Sequence, residues 1–304
     1  MKLPRGWSSY AIFIALAIEC VVLSLATDTF LTSENLTNVL RQNAFPAIVA
    51  AGMTFVILTG GIDLSVGAVV ALSGVFCADA LVHGWPLGAA VAMGLGTGLV
   101  VGIVNALVIT RVRVPPFIVT LAMMLVVRGI AFKYTDARTI SGLPASFASF
   151  SESRPMVAAM AVTFGISWLL LMRTPFGRHV YATGGNRDAA WLSGIRVDRV
   201  LLKVYALCGL GAGLAGVLVA SRLNSGYPRA GEFYELDAVA AVVVGGTSLF
   251  GGRGSIWGTL GGALFIGILN NGLNLYNVSS YDQMIVKGAV LLAAASLDRW
   301  RKGS

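Results

Sequence analysis

Charge is what this sequence has least of. Only 12% of its 304 residues are Asp, Glu, Lys or Arg, against 56% hydrophobic, whereas a soluble domain carries about 25% charge. That scarcity excludes an ordinary water-soluble globule and points to a membrane protein. Phosphate-cradling sequence is missing too: no G-x-x-x-x-G-K-[ST] run occurs, so the chain has no P-loop for a nucleotide. Histidine is limited to His83 and His179, and no H-E-x-x-H pair of zinc ligands exists. These absences speak against an enzyme. Cys20, Cys77 and Cys208 are the only cysteines, and all lie inside apolar runs. They read as buried thiols and exclude a disulfide framework.

What is present is apolar sequence in long runs. About 20 apolar residues in a helix cross a hydrocarbon core of about 30 Å. Ten runs qualify, at roughly 8–27, 43–59, 66–83, 87–110, 115–134, 156–172, 203–222, 237–251, 255–274 and 283–298. The expected fold is an all-α polytopic membrane protein with about ten transmembrane helices, a single domain over 1–304. The first run follows Lys2 and Arg5 and imitates a signal peptide, with Ser24-Leu-Ala26 as a cleavage site. It is longer than the usual 7–15-residue apolar core of such a signal, so it reads as an uncleaved helix.

The net charge of +8 is unevenly placed. With the N-terminus inside, the cytoplasmic segments collect Lys2, Arg5, Arg111, Arg113, Arg173, Arg178, Arg187, Arg196, Arg199, Lys203, Arg253, Arg299, Arg301 and Lys302. Outside loops hold most of the acids, among them Asp28, Glu34, Asp136, Glu152, Glu232, Glu235, Asp237 and Asp282. The asymmetry predicts that both termini are cytoplasmic, and it would fail for nine spans. It also accounts for the basic balance without a nucleic-acid partner.

Glycine, at 37 residues, is the second signal. Gly94, Gly98 and Gly102 share a helix face at four-residue spacing, as do Gly254, Gly258 and Gly262, and Gly209 with Gly213. Such spacing lets helix backbones approach closely in lipid. Elsewhere glycine interrupts a span. Gly60-Gly61-Ile-Asp-Leu-Ser-Val-Gly67 and Gly245-Gly246-Thr-Ser-Leu-Phe-Gly251-Gly252 both break an apolar stretch with glycines and hydroxyls. Paired broken segments in two halves of a chain point to a transport site, so a broken or re-entrant segment is expected near 59–67.

Asp63 lies inside the first break. Two roles are open to it: capping the helix that starts at Leu64, or lining a polar path together with Ser65. Irregular backbone at membrane depth is tolerated only where it is buried in protein or lines a cavity. Asn105, Thr120, Asn270, Asn271 and Asn274 are further groups for such a path, although helix-to-helix hydrogen bonds are the commoner use of polar residues in spans. Arg128 and Lys287 are ionisable within apolar sequence, with Glu19 and Asp79 as available acids. Glu19 falls mid-span with no evident role.

One loop, Arg173–Lys203, mixes six basic residues with apolar ones. Within it Asp188-Ala-Ala-Trp-Leu-Ser-Gly194 reads as a short helix, capped by Asn186 and ended by Gly194. Trp191 and Leu192 give it an apolar face, suited to docking on another protein or to lying in the membrane interface.

The stretches "GMTFVILTGGIDLSVGAVVALSG", "YATGGNRDAAWLSGI", "YELDAVAAVVVGGTSLFGGRGSIWGTLGGAL" and "LNNGLNLYNVSSYDQMIVK" resemble the membrane permease of bacterial ABC sugar importers, most closely the ribose type. The likeness runs from about Asn35 to Asp298, with the four motifs in order. It implies a multi-pass protein of the cytoplasmic (inner) membrane, a second permease chain, a cytoplasmic ABC ATPase that holds ATP and Mg, and an extracytoplasmic sugar-binding protein. No cofactor is expected in this chain itself. It also implies that 173–203 is the coupling loop, with Gly184, Gly185, Asn186, Ala189, Ala190, Trp191, Leu192, Gly194 and Ile195 against the ATPase. The acid that the family places just after Gly-Gly-Asn is shifted by one position, to Asp188 behind Arg187, which leaves the polar contacts of that loop open. The competing reading is an ion-coupled secondary sugar transporter with Asp63 as coupling group. A third is a membrane receptor or scaffold that signals through the loop.

Overall fold

Backbone N–H and C=O groups in hydrocarbon must be paired within the chain, so apolar runs of this length fold as helices. The computed structural model describes residues 7–303, with side chains from residue 11 onward except those of 297 and 299–303. Lys2 and Arg5 lie outside the described residues, as do the side chains of Arg299, Arg301 and Lys302. The described residues form α1 (Trp7–Ala26), α2 (Ser33–Leu58), α3 (Val66–Val82), α4 (Leu87–Leu107), α5 (Pro116–Thr135), α6 (Ala145–Ala148), α7 (Ser153–Arg173), α8 (Pro175–Gly185), α9 (Arg187–Leu192), α10 (Val197–Leu223), α11 (Tyr234–Val244), α12 (Ile256–Leu275) and α13 (Ser280–Gly303). A π-helical turn, Val108–Val112, prolongs α4. Extended structure among the described residues is one isolated bridge between Ile140 and Gly226.

Each expected span overlaps a helix, but among the described residues six helices are long and apolar enough to cross a membrane unaided. These are α2, α4 with its π turn, α5, α7, α10 and α12. The expectation of ten is therefore met only in part. The span expected at 237–251 needs correction: α11 ends at Val244, and its 11 residues rise about 16 Å, half of a hydrocarbon core. α3, with 17 residues, also falls short of a full crossing.

The bundle is sorted by burial. Ala44–Leu58 of α2 is enclosed on almost every side, as is most of α3 and α10, which explains why these helices are apolar all round. α1, α5 and α7 turn Ile14, Ile18, Leu125, Val126 and Ile166 outward, as a lipid-facing ring requires. α4 and α10 run antiparallel in close contact, with Gly98 against the Gly209 carbonyl and Gly102 against that of Tyr205. A side chain at Gly98 would also meet Gly213 N at 2.8 Å. α11 and α12 meet likewise, Gly258 on Gly245 and Gly262 on Ala241.

α2 and α12 also run antiparallel, pinned by two polar pairs. Near the start of α2, Asn35 and Asn271 exchange side-chain amide bonds of 3.0 and 2.8 Å. Near its end, Thr54 and Thr259 share a 2.8 Å hydroxyl contact. The pairs stand 19 residues apart on α2, about 28 Å of helix rise, so they mark opposite ends of the bundle.

Candidate functional site

α2 and α11 end in the same way. The Gly60 and Gly61 amides donate to the carbonyls of Ile57 (2.9 Å) and Val56 (3.1 Å), and those of Gly246 and Thr247 to Val243 (2.9 Å) and Val242 (3.1 Å). Both are Schellman motifs, which need a left-handed residue just past the helix cap. Gly60 at φ +78° and Gly246 at φ +89° supply it, a conformation that glycine adopts without a side-chain clash. The two breaks thus share a helix ending, one that also closes α3, α10 and α12. They also touch: the Gly252 amide donates to the Leu58 carbonyl at 2.9 Å, and Gly251 packs on Gly60.

Asp63 is buried between α2 and α3. Its Oδ1 accepts from the Ser65 amide at 3.0 Å and from the Ser65 hydroxyl at 2.6 Å, while Asn105 Nδ2 of α4 donates to Ser65 Oγ at 2.9 Å. Thr120 of α5 donates to the Ile62 carbonyl at 3.1 Å. Asp63, Ser65, Asn105 and Thr120 thus converge on one broken segment. Asp63 does not cap the helix as expected, since α3 starts at Val66 rather than Leu64 and its N-cap is Ser65; its bonds to Ser65 hold the turn before the helix. Tyr205 and Cys208 of α10 close the cluster: the thiol lies beside Asp63, and the buried Tyr205 hydroxyl, against Gly61, has no hydrogen-bond partner. Sequence reasoning passed over both, because a Tyr and a Cys within "VYALCGL" look like ordinary core.

The other expected path residues are elsewhere. Asn271 is taken up by Asn35, and Asn274 accepts from Gln283 Nε2 at 2.8 Å. Asn270 lies on the same part of α12, its Oδ1 buried without a partner. All three stand at the far end of α12 from Thr259, hence away from the Asp63 cluster. The ionisable residues find partners other than Glu19 and Asp79. Lys287 pairs with Asp237 at 3.0 Å, and Arg128 NH1 donates to the carbonyls of Pro228 and Ala230, each at 2.9 Å. Asp79 accepts from the Tyr134 hydroxyl at 2.7 Å. Glu19 has both carboxylate oxygens buried and unpartnered.

The expected 173–203 loop is shorter than drawn: it folds as α8 and α9, and from Val197 it is already the start of α10. Thr174 caps α8, accepting from the Gly177 amide at 3.4 Å, and Pro175 takes its first position. Asn186 caps α9 through a 2.9 Å bond from the Ala189 amide. Another Schellman pair ends it, Gly194 to Trp191 (2.9 Å) and Ile195 to Ala190 (3.0 Å), with Gly194 at φ +83°. Ala190 is buried and Ala189 exposed. Trp191 is 68% exposed and Leu192 77%, so the end of α9 presents its large apolar groups outward. Behind it, α8 is seated on both breaks: Gly184 packs on the Leu58 carbonyl and the Gly252 amide. At Gly185, the next residue, an added Cβ would meet no atom within 4 Å, although its backbone lies against Gly252. Tyr181 donates to the Gly254 carbonyl at 3.0 Å, and burial pushes its hydroxyl above the usual tyrosine range, which keeps it a donor. An exposed lever therefore stands on the junction of two helix breaks, beside the buried Asp63 cluster.

Residues 35–295 match the family described as branched-chain amino acid transport system / permease component. Among curated proteins, the ribose import permease protein of Bacillus subtilis (strain 168) is 51% identical over 294 residues, 94% of this chain and 91% of that protein. The ribose import permease protein of Escherichia coli (strain K12) is 47% identical, covering 94% and 92% of the two chains. The D-allose transport system permease protein of the same strain is 38% identical over 96% and 92%. No solved structure matches. With a matched region spanning most of its length and relatives well above 30% identity, this chain belongs to that family of transport-system permease components.

Proposed function

We propose that this chain is the membrane permease subunit of an ATP-driven ABC importer that brings a monosaccharide, ribose or a related sugar, into the cell. The relatives quoted are named for ribose and D-allose, and fructose and xylose permeases are 38% and 36% identical. The proposed assembly has two permease chains, a cytoplasmic ABC ATPase pair and an extracytoplasmic sugar-binding protein. Ten crossings place both termini in the cytoplasm, with α3 and α11 buried in the bundle and completed as crossings by their breaks.

One observation carries the mechanism: α9 is exposed at its apolar end, while α8 behind it rests on both breaks through Gly184. ATPase closure on nucleotide presses on Trp191 and Leu192. The short capped α9 transmits that push through α8 to Leu58, Gly60 and Gly252, and the breaks are the hinges about which α2 and α11 reorient. Asp63 serves chiefly to hold the start of α3, with Ser65, Asn105 and Thr120 as neutral hydrogen-bonding groups for sugar hydroxyls along an adjoining path. Asn270, Asn271 and Asn274 serve the same path at its other end.

The assembly itself is the test. A native mass spectrum of the purified importer is expected to show two copies of this chain per ATPase pair, and the chain alone is expected to hydrolyse no ATP. Nucleotide turnover by the single chain, or one permease per ATPase pair, would overturn the proposal.

A further inference from the structure

A cavity of about 800 Å³ opens between α4, α7, α8 and the first half of α10. It is separate from the Asp63 cluster. Its inner wall is apolar, with Leu99 of α4, Leu170 of α7, and Leu207 and Leu210 of α10. Its outer wall is cationic, with Arg196, Arg199 and Lys203 along α10 and His179 of α8. Charge and hydrocarbon are sorted along a single helix row, because residues three and four apart share a face. From Lys203 to Leu210 the helix rises about 10 Å, and from Arg196 about 21 Å. That matches one leaflet of a bilayer, with charge at its surface and roughly 15 Å of hydrocarbon beneath.

Among the described residues the cations have no carboxylate partners. Ion pairs among the described residues are His83–Asp79, Arg187–Asp198 and Lys287–Asp237, so Asp198, the acid next to Arg199, is engaged elsewhere. Lys203 Nζ stands 5.9 Å from the Phe176 ring centre, which holds its stem to the wall without neutralising it. A soluble anion would match the charge and leave the leucines bare. A zwitterionic lipid would cover the leucines but bring its own cation beside its phosphate, leaving three positive charges without a net counter-charge. A peptide would carry unpaired backbone groups into hydrocarbon.

We infer that this cavity binds an anionic phospholipid, its phosphate on Arg196, Arg199 and Lys203 and an acyl chain along Leu99, Leu170 and Leu207. Basic pockets between transmembrane helices are suited to acidic headgroups. Gly194 and Ile195, the residues that end α9, form part of the same wall, so a bound lipid braces the turn that aims α9. The site is independent of which partner α9 engages.

The test uses the full-length protein from nanodiscs of phosphatidylcholine and phosphatidylglycerol, with retained lipid counted by native mass spectrometry. The wild type is expected to keep phosphatidylglycerol in preference to phosphatidylcholine. Arg196→Gln/Arg199→Gln/Lys203→Gln should lower that retention by on the order of fivefold per cation removed. Leu207→Trp should lower it by filling the groove with charge unchanged, with Leu99→Trp in its place if Leu207→Trp does not fold. Arg111→Gln/Arg113→Gln, basic but outside the cavity, should keep wild-type retention, and inorganic phosphate should not displace the lipid. Equal retention of both lipids, or equal loss in the Arg111/Arg113 control, would overturn the inference. So would unchanged retention in either site variant, or displacement by phosphate, which would mark a free-anion site. Loss of a second copy or of an ATPase partner with lipid retention intact would make the surface a protein interface instead.

Discussion

Alanine at position 184 is the smallest change that separates the lever from the hinges. A methyl group on Gly184 would overlap the Leu58 carbonyl oxygen and meet the Gly252 nitrogen at 2.6 Å. Both are backbone atoms, so neither can rotate away as a flexible side chain would. Overpacking of this kind costs about 1–3 kcal/mol. The same displacement strains the 2.9 Å bond from Gly252 to Leu58, whose net worth is about 1 kcal/mol. A penalty of about 2–4 kcal/mol on the seated position of α8 shifts its population by roughly thirtyfold or more, since each 1.4 kcal/mol is a factor of ten. Gly185→Ala is the matched control, because no atom lies within 4 Å of the added methyl. In proteoliposomes holding the complete importer, Gly184→Ala should bind the ATPase normally while sugar uptake per ATP hydrolysed falls at least tenfold. Gly185→Ala should resemble wild type. If the two variants transported equally, force would not pass from α8 to the breaks at this contact.

Asp63, Lys287, Trp191 and Gly194 each give a further expected outcome. Asp63→Asn keeps an acceptor for the Ser65 amide and should preserve fold and partial uptake, whereas Asp63→Leu strands two buried donors at about 1–3 kcal/mol each, lowering yield and the thermal midpoint; equal midpoints for both variants would refute the turn-holding role. Lys287→Met leaves the largely buried Asp237 carboxylate without its partner and should destabilise by about 1–3 kcal/mol, with much of the loss recovered in Lys287→Met/Asp237→Leu; a double variant no better than the single one would contradict this. Trp191→Ala should leave the thermal midpoint unchanged, because the ring is 68% exposed, yet weaken ATPase association by about 2 kcal/mol. Gly194→Val, forced into a left-handed conformation, should misdirect α9 and uncouple the complex while the chain still reaches the membrane; wild-type ATPase copurification and uptake in both variants would remove α9 as the coupling element.

Sequence reading found helices wherever apolar residues ran long, and found the breaks because paired glycines interrupt such runs. It placed the start of α2 near residue 43, where the continuous apolar run begins. The helix instead begins at Ser33, capped by Thr32, and carries Pro46 inside the bundle. It also drew the eighth span to 251, across the break it had found at Gly245-Gly246, where a Schellman turn ends α11. The local caps at Asn186 and Gly194 were legible because their partners lie within a few residues. Long-range pairing was not. Nothing near Asn271 in sequence names Asn35, 236 positions away, as its partner, and nothing near Gly184 names Leu58 or Gly252. Nothing in the sequence places the three asparagines of α12 at the opposite end of the bundle from Asp63, where the packing of α2 on α12 sets them.

The central claim is that this chain moves sugar with energy from a separate ATPase. Labelled ribose uptake into proteoliposomes measures it directly, with ATP supplied on the ATPase side and the binding protein on the other. The account predicts uptake only when ATPase, ATP and binding protein are all present, abolished by vanadate and indifferent to proton and sodium gradients. Uptake by this chain alone, driven by an ion gradient and lost in Asp63→Asn, would contradict it and identify an ion-coupled transporter instead.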